Sequence, residues 1–374
     1  MPTTPTGSSQ RAIILLCFFI SGAAGLIYQV AWAKSLTLIF GSTVYAVTTV
    51  LAVFLGGLAL GSDWIGRWGE RWDDAILLYA VLELVVAALG ALSLANLVGV
   101  RALYVHAFPW IGNSVPMRGA LRFLAVAMVL FPSTFLMGGT LPVLVRGLGS
   151  QAIALRGLVS RLYWVNTSGA VAGALAAGFW LLPVAGGRRT VLTAAALNLL
   201  AGIVALRMRQ AKSPLEARPR GAKELETVAP RRLLLAAFAI VGATAMAYEI
   251  AWTRLLAIIF GSSTYAFTVM LGTFLAGIAL GSALFELWGK RRTASLSSFE
   301  VTQTLTALAG LLFLFLFSHL PEVVVGVLRT TGNSFRGLLL AQAIASGLAM
   351  LPAANPRPSG APTRRTLPAR LLAR

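Results

Sequence analysis

Apolar residues in this chain fall into long runs separated by short polar segments, and the runs repeat from end to end. Ten of them stand out: 12–33, 43–64, 75–99, 119–145, 157–183, 190–206, 233–254, 263–287, 296–320 and 336–352. Most are near or above the length a helix needs to cross roughly 30 Å of hydrocarbon. The pattern predicts an all-α, polytopic membrane protein of about ten transmembrane helices. Between the sixth and seventh runs lies RMRQAKSPLEARPRGAKELETVAPRR, a polar linker with prolines and arginines.

Composition agrees. Of 374 residues, 57% are hydrophobic and 11% charged, too little charge to keep the surface of a soluble domain this size in water. The lipid bilayer is therefore the first partner. A net charge of +19 raises the question of nucleic acid, but the basic residues sit in short loops between apolar runs, with no contiguous basic domain. With the N-terminus in the cytoplasm, the inside segments hold most of the 31 Lys and Arg residues, from Arg11 and Arg67 through the linker to Lys290 and the C-terminal tail. The positive-inside rule then predicts a cytoplasmic N-terminus for a multi-pass protein of the plasma (inner) membrane. The single cysteine, Cys17, excludes an intrachain disulfide, and His106 and His319 are isolated, without metal-ligand spacing. No metal or cofactor is expected.

The runs are not independent. Residues 22–62 align with 242–282 without a gap, and 21 of the 41 positions are identical. Tyr28 matches Tyr248, Trp32 matches Trp252, Phe40-Gly41-Ser42 matches Phe260-Gly261-Ser262, and Gly57 and Gly61 match Gly277 and Gly281. The offset of 220 still holds at Gly112-Asn113-Ser114 against Gly332-Asn333-Ser334, and at Pro132 against Pro352. An internal copy of the first run also argues that the first run is a retained helix and not a signal peptide. Six runs separate the two starts, so both copies have the same orientation and form parallel repeats about an axis along the membrane normal. Four segments follow: a six-helix copy at 1–208, a basic cytoplasmic linker at 209–232, an incomplete four-helix second copy at 233–352, and a Pro/Arg-rich tail at 353–374. The tail has no counterpart of STFLMGGTLPVLV, which continues the fourth run of the first copy; on this reading the chain is a truncated or frame-shifted product.

Ionisable and amide groups in lipid are costly and tend to be functional. Glu249 lies in the seventh run, at the position of Gln29 in the first, and Glu83 lies in the third, at the position of Gln303 in the ninth; Asn166 lies in the fifth. Tyr28 with Trp32, and Tyr248 with Trp252, are four apart and share a helix face. Two readings stand side by side. These nine residues line a cavity and contact a small polar or cationic solute, or they hydrogen-bond between helices and to Lys34 and Arg254. The pairs Gly57/Gly61 and Gly277/Gly281, with Gly169 and Gly173 in the fifth run, have the spacing that lets helix backbones approach closely. Pro132 and Pro142 interrupt the fourth run, as a kink or as the wall of a cavity. Nothing supports soluble catalysis: no Gly-rich loop follows a strand pattern and no Ser-His-Asp set is available.

Several stretches carry a likeness, Phe40-Gly41-Ser42-Thr43-Val44-Tyr45-Ala46 and Gly57-Leu58-Ala59-Leu60-Gly61-Ser62 among them. Gly25-Leu26-Ile27-Tyr28-Gln29-Val30-Ala31-Trp32, Leu136-Met137-Gly138-Gly139-Thr140-Leu141-Pro142 and Tyr163-Trp164-Val165-Asn166-Thr167-Ser168-Gly169-Ala170 resemble the membrane part of bacterial fused major-facilitator/spermidine-synthase proteins, as does the second copy from Tyr248 to Ser282. The resemblance covers about residues 11–352. It implies a major-facilitator-like bundle joined, in the family, to a cytosolic aminopropyltransferase-like domain. Nothing in this chain matches that domain's cofactor loop or catalytic aspartates, so catalytic residues are not expected here. The resemblance leaves three functions: a transporter-like module for a small polar or cationic solute such as a polyamine, a membrane anchor for a soluble spermidine synthase-like partner, or a fragment without function.

Overall fold

A chain segment in hydrocarbon must satisfy its own backbone, so long apolar runs become helices. The computed structural model describes residues 6–40, 43–111, 114–148, 152–208, 231–260, 263–288 and 296–331. They form α1 (Thr6–Phe40), α2 (Thr43–Trp68), α3 (Ala75–Ile111), α4 (Val115–Leu148), α5 (Ala152–Ala176), α6 (Leu182–Arg207), α7 (Arg231–Phe260), α8 (Ser263–Trp288), α9 (Leu296–Phe317) and α10 (Leu320–Thr331). Among the described residues there is no strand. Seven helical stretches among the described residues are long and apolar enough to cross a membrane. One of them, Gly157–Arg207, has 51 residues, about 77 Å if it were straight helix, and it kinks at Gly186, whose φ of 73° is a conformation that favours glycine. The protein is a polytopic helical membrane protein. The linker, the tail and the tenth run at 336–352 lie outside the described residues.

The outside of the bundle is as greasy as its interior: Leu124, Met128, Val184, Ile240 and Ile258 are all exposed. Lipid offers no hydrophobic drive between helices, so contact depends on close packing. Small residues supply it. A side chain added at Gly57 would strike Thr134, one at Gly61 the carbonyl of Phe135, and one at Gly138 the carbonyl of Leu58, which closes α2 on α4. One at Gly169 would meet the Phe19 carbonyl and one at Gly173 the Ala23 carbonyl, which closes α1 on α5. Gly277 is buried and Gly281 half-buried on α8. The first and second copies meet where α5 packs on α8. There the Ser160 hydroxyl donates to the Ser282 carbonyl at 3.0 Å, and Gly178 faces Thr268.

Two details differ from the sequence pattern. The fourth run is not interrupted: α4 stays helical through Pro132 and Pro142. Nearby, the Thr134 hydroxyl donates to the Leu130 carbonyl at 3.0 Å, taking up an acceptor beside the proline site. α3 runs unbroken for 37 residues, whereas its counterpart is split into α9 and the short α10. Pro321, at the first turn of α10, explains the break, because proline lacks an N–H and clashes with the preceding turn; the first copy has Arg101 at that position. At the far end of α2, Arg146 donates to the carbonyls of Gly69 and, at 2.7 Å, Trp72. That holds the α2–α3 turn against α4. Arg67 pairs with Asp63 on its own helix, which suits an exposed anchoring loop.

The seams set an expected outcome. Gly61→Val should lower the melting temperature of the purified protein in detergent, at a cost of about 1–3 kcal/mol for overpacking. Gly99→Ala, with open space around its Cβ position, should be neutral or stabilising by about 1 kcal/mol. Equal melting temperatures for the two variants would remove glycine-mediated contact between α2 and α4.

Candidate functional site: carboxylates inside the bundle

The aromatic pairs are pillars between helices. Tyr28 and Trp32 are fully buried and stack at 4.9 Å between centroids. The Tyr28 hydroxyl lies against Gly90 of α3. One turn on, the Trp32 indole N–H donates to the Ser93 hydroxyl at 2.9 Å, which in turn donates to the Gly90 carbonyl at 2.6 Å. In the second copy Tyr248 and Trp252 stack at 5.3 Å. There the Tyr248 hydroxyl lies 2.7 Å from where a Cβ on Gly310 would sit. Tyr28 with Gly90 and Tyr248 with Gly310 have the same separation in sequence, so α1 sits on α3 in the register that α7 keeps on α9. A Cβ at Gly90 would overlap the Tyr28 ring, and one at Gly310 would crowd the Tyr248 hydroxyl.

The same register brings Ser21 of α1 level with Glu83 of α3. Glu83 is wholly buried. The Ser21 hydroxyl donates to its Oε1 at 2.6 Å, and Asn198 of α6 approaches Oε2 with Nδ2 at 2.5 Å. Tyr79, one turn earlier on α3 and also buried, brings its hydroxyl to the same carboxylate without hydrogen-bond geometry. Asn198 Oδ1 is likewise buried without a partner. Three helices thus meet on one acid. Sequence reasoning found Glu83 but missed Ser21, Tyr79 and Asn198. Signals were available: Tyr79 is four residues before Glu83, and Asn198 is a lone carboxamide in TVLTAAALNLLAGIVAL.

Glu249 has a different setting. With Trp252, Thr253 and Leu256 it forms a buried stripe along one face of α7, the helix that packs against α8 and α2. The Thr253 hydroxyl donates to the Glu249 backbone carbonyl at 2.8 Å, yet no described residue bonds the carboxylate. Neither Lys34 nor Arg254 pairs with Glu249 or Glu83; among the described residues the Asp63–Arg67 pair is the one salt bridge. That part of the hydrogen-bonding alternative is set aside. Gln29 is buried on α1 and Gln303 half-buried on α9. The Asn166 amide donates to the Phe18 carbonyl at 2.9 Å, and its own backbone touches Gly22, so Asn166 fastens α5 to α1.

Among the described residues the two acids have no hydrogen-bond partner in common: Ser21 and Asn198 bond Glu83, and neither bonds Glu249. Nearer the ends of α1 and α2, a shallow crevice opens toward α8, lined by Val30, Ala33, Lys34, Thr37, Val47, Thr264 and Phe267. Its charge is the Lys34 ammonium, which suits no cation. Among the described residues no cluster of His, Cys, Asp and Glu has the makings of a metal site.

Comparison with known proteins gives a partial likeness. No family model matches the chain. It is 27% identical over 197 residues to polyamine aminopropyltransferase 1 of Streptomyces coelicolor, covering 52% of this chain and 33% of that protein. It is 28% identical over 249 residues to polyamine aminopropyltransferase 1 of Ralstonia nicotianae, covering 64% of this chain and 44% of the relative. Polyamine aminopropyltransferase 2 of the same organism is 28% identical over 230 residues, 61% of this chain and 42% of that one. The chain therefore matches less than half the length of each of these relatives, at identities that give a weak link to the polyamine enzymes.

Proposed function

We propose that this chain is a transporter-like membrane module, of the kind fused to spermidine synthase-like domains, that handles a small polar or cationic solute such as a polyamine. Glu249 carries the reading. A carboxylate buried in a spanning helix, without a bonded partner among the described residues, is costly unless an opposite charge or a proton reaches it. A protonated amine supplies that charge. The relatives' names, polyamine aminopropyltransferase, fit the same chemistry. On this reading Glu249 contacts the solute, Gln29 offers the pseudo-equivalent amide, and the Tyr–Trp pairs hold the helices that present them. The module is a major-facilitator-like six-helix copy at 1–208 and part of a second at 233–352, with a cytoplasmic N-terminus and linker.

A second reading makes the helices a membrane anchor for an aminopropyltransferase-like domain on a separate protein. Its support is the name that the relatives carry, polyamine aminopropyltransferase. The two readings separate on binding.

Radiolabelled spermidine should bind the purified protein in lipid nanodiscs. Glu249→Gln should weaken that binding by about tenfold or more, about 1.4 kcal/mol, with the protein still inserted in the membrane. Unchanged affinity would reject Glu249 as a contact. Absent binding, with an aminopropyltransferase-like protein co-purifying, would favour the anchor. For orientation, reporter fusions at the N-terminus and in the 209–232 linker should both report cytosol; a periplasmic signal at either would overturn the assignment.

A further inference from the structure

Glu83 is too completely enclosed to meet a solute, and its surroundings suit a smaller ligand. We propose that Glu83 is a proton-binding site, separate from the solute contact at Glu249, whose carboxylate takes up and releases one proton within the α1–α3–α6 junction. As a coupling site it rests on the transporter reading; as a proton site it stands on its own geometry.

The first argument is the hydrogen bonding. As the structure stands, Asn198 Nδ2 donates to Glu83 Oε2 at 2.5 Å, the arrangement that suits the charged carboxylate. A half-turn of the Asn198 amide exchanges its nitrogen and oxygen. Oδ1, buried without a partner in the present orientation, would then accept from a protonated carboxyl. With the proton gone, the NH2 group faces the carboxylate and donates to it. Ser21 serves both states, because its hydroxyl can donate to Oε1 in either. The Tyr79 hydroxyl, also without a partner, is a further donor for the charged form. The site therefore contains hydrogen-bonding groups for the acid and for its conjugate base.

The second argument is the absence of a counter-charge. Among the described residues the titratable groups that Glu83 acts on are Cys17 and Tyr28 of α1 and Tyr79 of α3, a thiol and two phenols that are neutral at ordinary pH. α6 contributes the uncharged Asn198. No lysine, arginine, histidine or second acid interacts with Glu83 among the described residues. Nothing there fixes the carboxyl permanently in its charged form.

The third argument is the twin position. Gln303 stands where the first copy has Glu83, on a helix pair held in the same register. Glutamine is the neutral isostere of a protonated glutamate. The second copy thus builds the same helix pair around a side chain that carries no proton, and the fold has no need of an acid at that position. In the step itself one O–H bond forms at a carboxyl oxygen, with the proton drawn from water, and nothing is oxidised or reduced.

Infrared difference spectroscopy of the full chain in nanodiscs, stepping the buffer from alkaline to acidic, reads the protonated carboxyl directly. A carbonyl band that grows as pH falls should be lost in Glu83→Gln, retained in Glu249→Gln, and shifted in frequency in Asn198→Ala, which keeps the acid but changes its hydrogen bond. Identical spectra for wild type and Glu83→Gln, or a Glu83 band that pH does not change, would overturn the proposal. Loss of spermidine binding in Glu249→Gln with the Glu83 band present would leave both assignments in place. A normal band in a protein that binds no spermidine would count against the transporter reading alone.

Discussion

Hydrocarbon provides no hydrogen-bond partners, and this single constraint shapes the molecule. Every described segment that crosses is a helix, because only a helix satisfies its backbone within one chain segment. Hydroxyl side chains turn back on their own helices for the same reason: Thr37 donates to the Ala33 carbonyl at 2.8 Å, and Thr268 to the Thr264 carbonyl at 2.8 Å. A carboxylate cannot be satisfied that way. Glu83 takes its partners from two other helices and in doing so ties α1, α3 and α6 together.

With lipid outside and apolar side chains inside, helix contact is decided by shape. The glycines of α2 and of α5 bring backbones together, and the tyrosine hydroxyls of α1 and α7 fill the spaces left by Gly90 and Gly310. These contacts have structural roles. They leave Glu249 a buried carboxylate that none of the described residues neutralises, and they distinguish it from Glu83, whose carboxylate bonds Ser21 and Asn198.

Much of this was legible in the sequence. Run length alone predicts the helices, since a twenty-residue apolar stretch has one stable form in a bilayer. The 220-residue offset predicts that Tyr28 and Tyr248 occupy alike positions, and both lie against a glycine sixty-two residues on. The uninterrupted α4 was not legible, because proline tolerance in a spanning helix depends on neighbours that take up the freed carbonyls. Nor was the partnership of Glu83 with Asn198. Those residues are 115 apart, and helix periodicity carries no information about which faces meet across such a distance. Asn166 was singled out for its polarity, yet what decides its role is that a Phe18 carbonyl lies within reach of its amide.

The account depends on α1 and α3 crossing, inside the membrane, at Ser21 and Glu83. Cysteine crosslinking in native membranes examines that contact directly. In a Cys17→Ser background, Ser21→Cys paired with Glu83→Cys should be joined by a short bifunctional thiol reagent, whereas Ser21→Cys paired with a cysteine at the exposed Leu92 should not. Failure of the first pair to join, or equal joining of both, would contradict the register on which the carboxylate sites are built.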